Sequence, residues 1–204
     1  MKTTNKKKMS TETMVLGAIM TALVILLQCL ATYTTFFGPF STAIGLIPIA
    51  IGAALCGPAI GAWLGAVFGA VVLLTGGGAL FWAFDPFGTI VTVMAKGIAC
   101  GLAAGLVYLA LKKCNNTVAA IAAAIVCPIV NTGVFLLGCA VFFLPHGDGI
   151  AAKVGMDVSG MALFLAFAFG NFLFEIGMNA VLSPVLVRLL DLGQKRYGVK
   201  RGEG

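Results

Sequence analysis

The side chains with most chemistry to offer are Lys96, Asn131, Asn171 and Glu175, set in a chain that is otherwise almost wholly apolar. One cation, one carboxylate and two carboxamides supply donors, acceptors and a charge of each sign, a set suited to holding a small polar ligand. Asn171, Glu175, Asn179 and Ser183 recur every four residues, so on an α-helix they form one slowly winding polar stripe. Thr89, Thr92 and Lys96 share a helix face at spacings of three and four. Asn131 and Thr132 follow Pro128, whose ring frees a backbone carbonyl. Gly76-Gly77-Gly78 stands just before Phe81, Trp82 and Phe84, and glycines beside aromatics make a lid able to stack on a planar ligand. The candidate ligand contacts are therefore Lys96, Asn131, Asn171, Glu175, Thr92 and Trp82, with Asn179 and Ser183 as packing groups below them.

Chemistry of other kinds lacks its residues. No Ser/His or paired-Asp arrangement supports hydrolysis, and without a G-x-x-x-x-G-K-[ST] loop the chain does not hydrolyse ATP itself. The six cysteines are scattered without a C-x-x-C pair and there is a single His, so we expect packing thiols, no metal site, no cofactor and no enzymatic activity.

The elements that must carry these groups are membrane helices. The 204 residues are 60% hydrophobic and 10% charged, with mean hydropathy +1.07. Soluble domains carry about a quarter of their residues as charges, and about 20 apolar residues of helix cross a bilayer. The apolar runs lack the dyad alternation of a membrane barrel. The expected fold is an all-α membrane protein, a single domain over 1–204, with six transmembrane helices near 13–33, 42–56, 59–74, 87–111, 118–143 and 161–190. Gly57-Pro58 leaves only a tight turn between the second and third. The first outer loop is Thr34–Ser41, also rich in Phe, Gly and Pro, and Thr75–Pro86 is the second.

Orientation follows from the cations. Lys2, Lys6, Lys7, Lys8, Lys112, Lys113, Arg188, Lys195, Arg196, Lys200 and Arg201 all fall on one side of a six-span chain, while the opposite loops hold Asp85, His146, Asp148, Lys153 and Asp157. The positive-inside rule makes both termini cytoplasmic. The net charge of +6 is thus topological, and nucleic acid is not an expected partner. The lysine-led start reads as an uncleaved first helix, because its apolar run exceeds a signal-peptide core and no small-x-small cleavage site follows.

Within this frame Gly57, Gly61, Gly65 and Gly69 form one every-fourth-residue row and Gly97, Gly101 and Gly105 another, the spacing that brings membrane helices together. Ala18 and Ala22 form a further small-xxx-small pair in the first helix. Lys96 lies roughly 13 Å in from the outer surface at 1.5 Å per residue, level with Asn131, Asn171 and Glu175. Ionisable groups at such depth are costly and mark function or a partner. Two readings of Glu175 stay open: a ligand contact, or the charge partner of Lys96.

The chain resembles the S components, the substrate-binding subunits, of energy-coupling factor (ECF) transporters, which import vitamins in bacteria and archaea. The resemblance spans nearly the whole chain and rests on six spans with both termini inside, Ala18-x-x-x-Ala22, the short second-to-third turn, Pro128-Ile-Val-Asn131-Thr132-Gly133-Val-Phe135, and Asn171-Phe-Leu-Phe-Glu175 running to Leu182-Ser-Pro184. It implies that the protein sits in the bacterial plasma membrane and binds a vitamin or related micronutrient from outside, with loops closing over it. It also implies that Ala18 and Ala22 dock on a membrane-embedded T component, that two cytoplasmic ATPases drive the cycle, and that the S component topples to release its substrate. The alternative is an autonomous proton-coupled secondary transporter in which Glu175 carries the proton, although no inverted repeat is evident. Lys96 with amides nearby suggests a small anionic vitamin, and the aromatic loop suits a flavin ring equally.

Overall fold

The computed structural model describes residues 11–33, 45–155, 157–158, 160–170, 172–173, 175–177 and 188. Asn171, Asn179, Ser183, the first outer loop, both charged tails apart from Arg188 and the start of the second expected span lie outside them. Every described element is helical, and no strand occurs among the described residues. The chain is a membrane protein built from α1 (Thr11–Tyr33), α2 (Leu46–Cys56), α3 (Pro58–Leu74), α4 (Ala79–Trp82), α5 (Pro86–Leu111), α6 (Asn116–Gly138), α7 (Gly147–Val154) and α8 (Met161–Gly177).

The stretches Thr11–Thr32, Pro86–Leu111 and the run from Asn116 to Val154 are long and apolar enough to cross a membrane unaided, while α2, α3 and α8 are shorter apolar helices. Leu26, Leu106, Ile129, Leu137 and Val141 are exposed, the reverse of a soluble protein and the expected surface toward lipid.

Local chemistry fixes the helix ends. Gly57 adopts φ +94°, closed to residues with a Cβ, and passes the chain from α2 into α3 with Pro58 in the first turn. Asp85 caps α5: its carboxylate accepts from the Gly88 N–H at 2.9 Å, and Pro86 opens the helix. Asn115 caps α6 in the same way through Thr117 and Val118.

Two expected loops carry structure. The span from Thr75 to Pro86 contains the single turn α4. Beyond α6 the helix continues as a π-helical turn, Cys139–Phe143, then a 3-10 turn, Leu144–His146, then α7. This occupies much of what the sequence presents as a plain outer loop. α7 is amphipathic, with Ile150 and Ala151 buried, so it has a reason to fold against the bundle that hydropathy averaging does not reveal.

The two glycine rows meet each other. A Cβ on Gly65 would land on the carbonyl of Gly97, one on Gly101 on the carbonyl of Gly61, and one on Gly105 2.6 Å from Pro58 Cα. α3 and α5 are thus in backbone contact along their length, with dispersion and close approach replacing the hydrophobic force that lipid removes. On the other side of α5, Ala119, Ala120, Ala123, Ala124 and Cys127 of α6 are buried and complete a small-residue core with Leu46, Ile49, Leu64, Phe68, Cys100 and Ala104. A second cluster, Phe143, Ile150, Leu163, Phe164 and Phe167 with Phe81 and Phe84 against it, brings together α4, α7, α8 and the turn after α6. All six cysteines are free thiols; Cys100, Cys127 and Cys139 are buried and Cys114 is exposed.

Candidate functional site

Between the two clusters the bundle leaves a pocket. α3 contributes Val72, the glycine turn Gly77 and Gly78, α4 Phe81, α5 Val93 and Lys96, α6 Asn131, Thr132 and Phe135, and α8 Phe167, Ala168 and Glu175. Each element presents its residues by period. On α5, Val93 and Lys96 are three apart; on α6, Asn131, Thr132 and Phe135 fit one face; on α8, Ala168 and Glu175 are two turns apart. The interior space is about 60 Å³, room for a few waters. Ligand pockets run to about 300–1,000 Å³, so a vitamin-sized molecule fits once a wall moves. One wall is the glycine turn, where Gly76 has φ +80° and a Cβ would meet nothing within 4 Å.

The polar groups converge. Asn131 is 3% exposed and Glu175 5% exposed, while Lys96 is half-buried. The Asn131 amide donates to the Glu175 carboxylate, and Lys96 and Glu175 attract each other across the pocket. The Lys96 ammonium also lies over the Phe135 ring, 5.4 Å from its centroid, within cation–π range. The Asn131 Oδ1 is buried and has no hydrogen-bond donor among the described residues, an unsatisfied acceptor beside the pocket. Such a group costs about 1–3 kcal/mol until a donor arrives.

The aromatic wall is equally ordered. Phe81 meets Phe135 edge-on, with centroids 5.6 Å apart and planes at 82°, and packs on Phe143 at 4.9 Å and Phe164 at 6.4 Å. These offsets are the favoured aromatic geometries. Phe84 stands farther out, near His146 and beneath the Lys153 ammonium.

Lys96, Asn131 and Glu175 thus line one pocket. Two other candidates stand elsewhere. Thr92 is buried against Gly138 of α6, where a Cβ on that glycine would strike its side chain; it packs α5 on α6 and does not line the pocket. Trp82 is 45% exposed and borders a separate hollow with Leu73, Leu74, Gly76 and Ala79. α4 turns its neighbour Phe81 inward instead, because successive residues on a helix point about 100° apart. Thr89 returns its hydroxyl to the Asp85 carbonyl at 2.7 Å. Phe81, Phe135 and Phe167 are lining residues that the sequence reading did not select. Phe135 carried a signal, since it follows Asn131 by one helical turn.

A larger hollow of about 560 Å³ opens between α6 and α8, walled by Ile129, Gly133, Leu136, Leu165 and Phe169. Its walls are almost wholly apolar and its rim residues Ile129, Leu165 and Phe169 are exposed, which is how a groove filled by lipid tails is lined. The polar convergence makes the smaller pocket the candidate site.

On the outward face of α1, Ala18 and Ala22 are both exposed, flanked by exposed Val15, Ile19 and Leu26. Unlike the glycine rows, this small-residue pair is exposed, with no helix against it among the described residues.

Comparison with known proteins agrees with this architecture. A family profile described as ECF transporter, substrate-specific component matches residues 12–187. No curated protein sequence matches significantly. Among solved structures, ThiT from Listeria monocytogenes superposes with TM-score 0.63 at 17% identity, covering 91% of this chain and 96% of that one; at that identity the likeness is one of fold.

Proposed function

The chain belongs to the family of substrate-specific components of ECF transporters, and from that premise we infer that it captures a small vitamin-like micronutrient in the pocket between α3, α5, α6 and α8. One observation carries the reading: a cation, a carboxylate, an amide whose buried acceptor has no donor among the described residues, and three phenylalanine rings converge in one pocket of a membrane bundle. That constellation binds and orients; it holds no nucleophile and base to react with what it binds.

In this reading Lys96, Asn131 and Glu175 contact the ligand, Phe81, Phe135 and Phe167 enclose it, and Asn171 on the same stripe extends the polar face. Residues 1–204 act as one domain with six spans, α1, α2, α3, α5, α6 and α8, and both termini in the cytoplasm of a bacterial cell. The pocket then lies in the outer half of the membrane, and the turn Gly76-Gly77-Gly78 with α4 is the lid.

Energy comes from partners. The exposed Ala18 and Ala22 let the helix of a T component approach closely, and two ATPase subunits on that component supply the work. Family membership leaves the proton-carrying reading of Glu175 without support. Ala18→Trp or Ala22→Trp puts a large ring on an exposed face, so uptake and T-component association should be abolished while ligand affinity of the isolated subunit stays within about three-fold. Equal loss of ligand binding in these variants would remove the docking assignment.

A further inference from the structure

We propose that the pocket selects a planar heteroaromatic ligand with no net charge, one that presents an N–H or O–H donor to Asn131; this rests on the reading of the pocket as the substrate site. It replaces the anionic ligand that Lys96 alone suggests.

Charge balance argues first. Among the described lining residues Lys96 and Glu175 are the charged groups, one of each sign, and they attract each other. The segments 34–44 and 178–187 and Asn171 add no charge, whatever their placement. The ammonium is doubly engaged, by the Glu175 carboxylate and by the Phe135 ring at 5.4 Å. An anionic ligand would have to compete with that carboxylate and then leave it beside a second negative charge, both poorly solvated. A ligand of zero net charge leaves the pair intact.

Hydrogen-bond balance points the same way. The Asn131 side chain bonds Glu175 through its amide, and its Oδ1 is a buried acceptor at the pocket wall without a donor among the described residues, which a ligand can reach as the pocket widens to admit it. A carboxylate ligand has no proton to give there, whereas a lactam, amide, amine or hydroxyl does. Thr132 beside it and the Lys96 ammonium can serve a ligand carbonyl or ring nitrogen.

Shape supplies the third constraint. Phe81 and Phe135 stand nearly perpendicular at 82°, so a flat ring stacked on one presents its edge to the other, both favourable arrangements. Aliphatic chains would fill the same walls without using that geometry.

The test uses the full-length protein in lipid nanodiscs and native mass spectrometry with matched probes: nicotinamide against nicotinate, and pyridoxine against 4-pyridoxate. The neutral member of at least one pair should be retained ten-fold or more over its carboxylate counterpart. Stronger retention of a carboxylate, or of neither member in both pairs, overturns the proposal. A second arm measures the retained probe with Lys96→Met, Glu175→Gln and the double variant. Each single change unbalances the site and should weaken binding ten-fold or more, while the double variant should recover to within about five-fold of the parent. A double variant as poor as Lys96→Met would mean that the ammonium holds the ligand itself and that its balance with Glu175 does not set the selection, and the inference fails. Thermal unfolding of each variant identifies any loss due to misfolding, and a second double variant, Lys96→Leu with Glu175→Met, then takes the place of the first. Co-purification with a T component and ATPases tests the transporter reading separately, since it does not depend on which probe is held.

Discussion

Substituting Gly65 by Ala tests the backbone seam on which the pocket depends. The added Cβ would sit on the Gly97 carbonyl oxygen, 2.5 Å from its carbon and 3.1 Å from the Ile98 nitrogen, where ordinary contact begins near 3.4 Å. The obstruction is backbone, so no side chain can rotate aside, and α3 and α5 must part by roughly 0.9 Å to restore contact with that carbon. Overpacking of this kind costs about 1–3 kcal/mol, set against a helix-propensity gain of about 1 kcal/mol for Gly→Ala. The net loss expected is therefore about 0–2 kcal/mol. Gly133→Ala is the matched control: it lies in α6 with nothing within 4 Å of a built Cβ, so it should be neutral or gain up to about 1 kcal/mol. The propensity gain is common to both variants, so they should differ by the overpacking cost alone, about 1–3 kcal/mol. At about 2–4 °C per kcal/mol for a chain of this size, that is about 2–12 °C in Tm. A thiol-reactive dye read during heating suits the measurement, because buried Cys100, Cys127 and Cys139 become reactive on unfolding. Lys96 is adjacent to the seam residue Gly97, so the Gly65 variant should also bind ligand less tightly. Equal Tm values for the two variants would refute the claim that α3 and α5 touch through their glycines.

Three other perturbations follow from the same geometry. Asp85→Ala removes the α5 cap to Gly88 and should cost about 0.5–2 kcal/mol; Asp85→Asn, which can still accept, should recover most of it in the same thermal assay. Thr92→Val replaces a buried hydroxyl that has no hydrogen-bond partner among the described residues with an isosteric methyl. It should leave stability unchanged or raise it by about 1–3 kcal/mol, and a loss above about 1 kcal/mol would show that the hydroxyl is satisfied. Phe81→Ala should weaken capture of the retained probe far more than Trp82→Ala, because Phe81 lines the pocket and Trp82 borders a different hollow; titration in nanodiscs reads the ratio, and a larger effect at Trp82 would reverse the assignment.

How far the sequence reached depended on whether a feature is local. Hydropathy and helix period depend only on neighbouring residues, so the apolar helices, the Gly57-Pro58 turn and the membrane setting were legible from the chain alone. The glycine rows were legible as helix-packing surfaces, yet only the fold shows that the two rows pack on each other. The presence of Lys96, Asn131 and Glu175 at similar depth could be counted at 1.5 Å per residue; their convergence in one pocket could not, because azimuth about each helix axis is set by packing. That is why Thr92, on the face of Lys96 by spacing, went to Gly138, and why Phe81 turned inward where Trp82 had seemed the better aromatic. The amphipathic α7 and the π-helical turn before it were also invisible to spacing, since each depends on a neighbour to cover it.

The sequence by itself thus determined the solvent in which this protein lives, its helical class, its family resemblance and which few polar residues were worth watching. Tertiary structure alone decided which of them meet, that the Asn131 amide bonds Glu175, and that Lys96 is balanced by a carboxylate and a ring. The reason is physical. Burial and periodicity act along the chain, whereas charge pairing, hydrogen-bond satisfaction and steric contact act across space between helices whose rotations only the packed bundle sets.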